Sequence, residues 1–161
     1  MSPFLLVWLH LIAAVSWIGG TIFLSLVLAP SYRAVASKPD AGALFRTTAR
    51  RFRLVVWSAV AVLLLTGPML VISHGWALFE LTRWPSILIF KLSLVAVLLL
   101  LTLVHDLVLG PRVRAILAHP PEQRAVTDQT ILTAASWLPR LALILALAVL
   151  FAAVMLARLQ P

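Results

Sequence analysis

Cysteine is absent from the sequence, and with it go disulfides, iron–sulfur clusters and thiolate metal sites. Any metal would have to be held by histidine, methionine, carboxylate or backbone oxygen. Methionine is scarce too, at Met1, Met69 and Met155 only, so the thiolate and thioether relay preferred by soft Cu(I) is missing. Charge is short as well: 11% of residues are charged, five of them acidic, against about 25% in a soluble globular chain. No Ser–His–acid set, glycine-rich phosphate loop or pair of carboxylates appears, which leaves hydrolase and nucleotide chemistry without support.

What fills the 161 residues instead is apolar surface, 63% of the chain. A soluble fold with that composition would lack the polar surface to cover its core, so lipid is the expected solvent. A helix needs roughly 20 apolar residues to cross about 30 Å of hydrocarbon, and four runs qualify: 4–29, 54–75, 86–109 and 137–157. Proline and glycine punctuate their ends at Pro30, Pro85 and Gly110-Pro111. The expectation is an all-α, polytopic four-helix bundle forming one transmembrane domain over residues 1–161. The first run is too long for a signal-peptide core and has no basic stretch before it, so it is read as a span.

The +8 formal charge is lopsided in a way that membrane topology explains better than nucleic-acid binding. Arg33, Lys38, Arg46, Arg50, Arg51 and Arg53 fall between the first two spans, and Arg112, Arg114 and Arg124 between the last two. Basic loops face the cytoplasm, which puts both termini and the Glu80–Arg83 loop outside, in a bacterial inner membrane. Trp8, Trp76 and Trp84 then form an outer belt and Trp57 and Trp137 an inner one, with Trp17 alone at mid-span. A pairing of the first two spans with the last two is not visible in the sequence.

Ionisable groups at membrane depth cost at least about 2.5–3.5 kcal/mol at a helix centre on insertion scales, so each is a functional candidate. His10 lies about 9 Å along the first helix from its outer start at 1.5 Å per residue. His74 falls at the outer end of the second helix, Lys91 in the outer third of the third, and His105-Asp106 near its inner end. His10, Trp17 and Gly20 share one helix face among small neighbours. Two imidazoles in such surroundings suit the axial positions of a haem b, with Lys91 or Arg83 meeting its propionates. His10 and His74 with the amino terminus could instead hold Cu(II), and His105 would serve only a separate inner metal site. Plainer roles stand beside these: His74 as an interfacial residue, His10 as a structural hydrogen bond, Lys91 snorkelling outward, His119 solvated, and Asp106 clamped to Arg140 or a loop arginine.

His10 followed by Trp17-Ile18-Gly19-Gly20 resembles the first-helix signature of the CopD copper-resistance membrane domain. Arg51-Phe52-Arg53 through Leu65-Thr66-Gly67 looks like its second helix, and Lys91-Leu92 with Leu94-Val95 like its third. The first-helix pattern and Lys91 are also similar to HemJ-type protoporphyrinogen oxidases, four-helix membrane proteins that bind haem b, as are His105 and Pro139. Where that second family carries an Asn-Glu pair before the fourth-helix proline, this chain has Ser136, Trp137 and Leu138. The resemblance implies His10 as a haem or metal ligand and Lys91 as a substrate or propionate contact.

Taken together, the sequence points first to a haem b-binding membrane protein in electron transfer, with quinone or a periplasmic redox protein as partner; if it is an enzyme, it is a membrane oxidoreductase. Copper transport or delivery is the alternative, and an accessory subunit of a homo-oligomer or larger membrane complex is the third. No nucleic-acid partner is expected.

Overall fold

The computed structural model describes residues 2–35, 41–120 and 123–158. Lys38 and the amino terminus at Met1, both invoked above, lie outside the described residues. Among those described, the chain is helical and contains no strand. Four helical stretches are long and apolar enough to cross a membrane: Pro3–Tyr32, Gly42–Ser73, Ser86–Leu117 and Val126–Arg158. They overrun the apolar runs that announce them. The second begins at Gly42 rather than at 54 and takes Arg46, Arg50, Arg51 and Arg53 into the helix, and the fourth begins at Val126 rather than at 137. Hydropathy marks only the hydrocarbon portion, whereas Ala, Leu, Arg and Gln propagate a helix equally well beyond it.

Two compact units divide the chain, Met1–Pro85 and Ser86–Pro161, and each is a helical hairpin. In the first, α1 (Pro3–Ile22) starts with Pro3 at its first position and the Ser2 hydroxyl accepting the Leu5 N–H, which satisfies a donor the helix cannot. A π-helical segment, Phe23–Leu28, follows, then α2 (Ala29–Val35). The long α3 (Ala41–Ser73), with Pro68 in its interior, packs against α1. His10 meets Thr66 and Gly20 meets Phe52, so the two helices run antiparallel. The seam is narrow: Leu6, Ala13 and Trp17 from α1 are buried with Val56, Ala59, Val60, Thr66 and Val71 from α3, at the three- and four-residue spacings that keep side chains on one helix face. A side chain at position 20 would collide with the Phe52 ring, so glycine is what allows that ring to pack against the α1 backbone.

The end of α3 is sealed by a glycine turn. Gly75 has φ +78°, its N–H reaches the Ile72 carbonyl at 2.9 Å, and the Trp76 N–H reaches Val71 at 3.2 Å. This pair of bonds closes the last carbonyls and needs the left-handed backbone that glycine adopts without penalty.

The second hairpin repeats the plan. It comprises α4 (Ser86–Leu103), a π-helical segment (Val104–Leu109), α5 (Gly110–Leu117) and α6 (Val126–Arg158), with α4 and α5 packed on α6. Each π segment runs up to a proline, although Pro68 and Pro139 stand in regular α-helix. Pro30 and Pro111 lack an N–H and crowd the carbonyl four residues back, and the preceding turn widens so that Ala29 bonds to Leu24 and Gly110 to His105. In constant register, Leu26-Val27-Leu28 and Pro30 match Leu107-Val108-Leu109 and Pro111. Thr21 bonds the Trp17 carbonyl at 2.9 Å as Thr102 bonds that of Leu98 at 2.8 Å, and Trp17 and Leu98 are both buried. The pairing of hairpins that the sequence did not reveal is therefore present, and it sets Lys91 at the register position of His10.

Most large apolar side chains face outward, Leu54, Leu64, Leu65, Leu100 and Phe151 among them. In water so much exposed apolar surface would drive aggregation; against lipid it costs nothing.

Candidate functional site

Two turns into α1, His10 sits half-buried against α3. Its Nδ1 lies 2.7 Å from Thr66 Oγ1, and the Thr66 hydroxyl donates to the Val62 carbonyl, also at 2.7 Å. Since that hydroxyl proton is committed, Oγ1 accepts from His10, and Nδ1 is the protonated nitrogen. The lone pair of the neutral ring is then on Nε2. Gly67 faces the His10 ring, where an added Cβ would stand 3.8 Å from Cε1. Thr66 is 5% exposed, and it alone among the described polar residues is that deeply buried. Sequence reasoning assigned Thr66 no role; its signal was a hydroxyl in the middle of an otherwise apolar run.

The other residues expected around His10 are dispersed. Trp17 is packed to 6% exposure in the α1–α3 seam, and Gly20 gives its space to Phe52 rather than to a flat ligand. His74 is exposed at the end of α3, eight residues beyond Thr66 or about 12 Å along the helix. There its Nδ1–H donates to the Leu70 carbonyl at 2.7 Å, and its ring stacks on Trp76 with centroids 5.5 Å apart. The first hairpin therefore does not bring His10 and His74 together on one metal, and a haem with both as axial ligands does not fit it. Arg83 is exposed and pairs with Glu80 at 2.9 Å.

In the second hairpin Lys91 is half-buried in the second turn of α4. His105 and Asp106 lie in the π segment, Nδ1 to Oδ1 at 3.1 Å, with the carboxylate the more buried partner. Arg140 lies over the Trp137 ring at 4.6 Å. His119 is exposed after α5, its Nδ1–H bonded to Ala115 at 3.0 Å. Among the described residues no three His, Asp or Glu side chains converge to hold a metal ion.

The first hairpin thus offers one imidazole anchored to the neighbouring helix, and the second, taken by itself, a histidine–carboxylate pair in its π segment. Neither the curated proteins nor the solved structures compared with the chain contain a match to it. A family model does: copper resistance protein D matches residues 46–156, from the basic start of α3 almost to the end of α6. The match leaves α1 and His10 outside it but includes Thr66 and Gly67, the residues that meet His10. On a match of that extent, this multi-pass membrane chain belongs to the CopD, copper resistance protein D, family.

Proposed function

We propose that the protein handles copper in the membrane, taking the ion at His10 and passing it on rather than storing it. The observation that carries this reading is the anchored imidazole of His10, read beside the family match. A cysteine-free chain in which no cluster of ligands converges offers an ion few strong bonds, and conduction requires binding weak enough to release. Imidazole is a competent ligand for copper, and an Nδ1–H bond to an oxygen is the usual device for aiming the other nitrogen at a metal. The basic flanks of α3 and α5 support an orientation with the His10 end of α1 outside, so the ion would be met from that side of a bacterial inner membrane.

The test is copper binding and cellular copper accumulation in wild type and His10→Ala. Loss of at least tenfold in affinity, with reduced accumulation at equal expression, is expected. Equal binding and accumulation in the two proteins would overturn the reading. Haem b ligated by His10 alone is a second reading, favoured by the same Nδ1–H bond, which is equally suited to iron. Purification from haem-replete cells separates the two, since a haem protein shows a Soret band that copper does not produce.

A further inference from the structure

We propose that Thr66 is the positioning residue that decides which nitrogen of His10 meets a metal. The inference rests on the reading of His10 as a metal contact and adds the mechanism by which the fold prepares it. A threonine inside a helix satisfies its own hydroxyl by donating to the carbonyl four residues back, as Thr66 does with Val62. That bond alone gives no reason for a hydroxyl at a position 5% exposed, where valine has nearly the same shape. What valine lacks is the oxygen's remaining acceptor capacity, and His10 Nδ1 uses it at 2.7 Å.

The direction of the pair of bonds is fixed from its far end. The Val62 carbonyl only accepts, so the Thr66 proton points to it, and Oγ1 in turn only accepts, so Nδ1 of His10 carries hydrogen. The tautomer is set by a backbone carbonyl through one hydroxyl, and Nε2 is left as the nitrogen with the electron pair. Gly67 lies beside the ring, and a Cβ added there would meet Cε1 at an ordinary contact distance of 3.8 Å. The tautomer of the His10 ring is thereby set by one α3 residue, Thr66. The other three histidines also place Nδ1 against an acceptor, but they use their own helix carbonyls or the adjacent Asp106. His10 is the one whose tautomer is set from a second helix.

The experiment uses the full chain in lipid bilayers with 15N-labelled histidine, in wild type, Thr66→Val, Thr66→Ser and His10→Ala. The alanine variant assigns the His10 resonances. Wild type and Thr66→Ser are expected to show His10 with hydrogen on Nδ1, and Thr66→Val to show a mixture of tautomers. Copper titration of the same samples is expected to weaken about 10- to 100-fold in Thr66→Val, the range found when a group orienting a metal ligand is removed, and to stay within a few-fold of wild type in Thr66→Ser. Hydrogen on Nε2 in the wild type overturns the proposal, and that measurement does not depend on any variant folding. An Nδ1–H tautomer combined with copper affinity unchanged in His10→Ala would instead sink the metal reading while leaving the tautomer assignment standing. Unchanged tautomer and affinity in Thr66→Val would remove Thr66 from the role.

Discussion

At the scale of single residues, the four histidines divide by what their Nδ1 touches. His74 and His119 cap the carbonyls of their own helices, His105 leans on Asp106, and His10 reaches across to α3. A bond to the helix that carries the residue is local and follows from sequence position, as it does for His74 at the end of α3. The Thr66–His10 pair was not legible in the sequence, because it joins positions 56 residues apart and depends on the register of two packed helices. Both residues stood in motifs singled out from the sequence, yet nothing in either motif says that they touch. The difference yields a contrast in mutants. His74→Ala should lose the Leu70 bond and the Trp76 stack, costing about 0.5–1.5 kcal/mol in a thermal or denaturant melt, while copper affinity stays within a factor of two. A drop in affinity matching that of His10→Ala would place His74 at the metal after all.

At the scale of elements, the apolar runs announced four helices but not their ends. The arginines of α3 fall outside the apolar run and read as loop in the sequence, whereas their charge only marks where the helix leaves hydrocarbon. Neither were the π segments legible, since they arise from a hydrogen-bond shift ahead of Pro30 and Pro111 and leave no period of their own. A π turn is an α helix with one residue too many, and this has a measurable consequence. Deleting Val108 together with Pro111→Ala should convert Val104–Leu109 to regular α helix and preserve the helix on both sides. Deleting Leu147 from α6, which has no π segment to absorb the loss, should rotate the buried Ala152 by about 100° out of its seam. The first variant is expected to melt close to wild type and the second well below it. Equal destabilisation in the two would show that the π segment holds no spare residue.

At the scale of the whole molecule, the lack of cysteine turns the chain into a clean substrate for topology mapping. Ser2→Cys and Glu80→Cys should react with a membrane-impermeant maleimide on intact cells, whereas Arg46→Cys and Arg124→Cys should react only after lysis. Labelling of Arg46→Cys in intact cells would reverse the orientation drawn from the positive loops. The hairpin repeat was hidden in the sequence. It shows in the two prolines, the Leu-Val-Leu ahead of each and the two threonine–carbonyl bonds, while most other paired positions differ. A hairpin returns the chain to the side from which it set out, so copying one and joining it in tandem preserves the sidedness of every crossing. Such a copy is born correctly inserted, with its arginines already on the proper side, and selection can then work on chemistry alone. In this chain the shared register sets an imidazole, His10, in one hairpin where the other carries a long amine, Lys91.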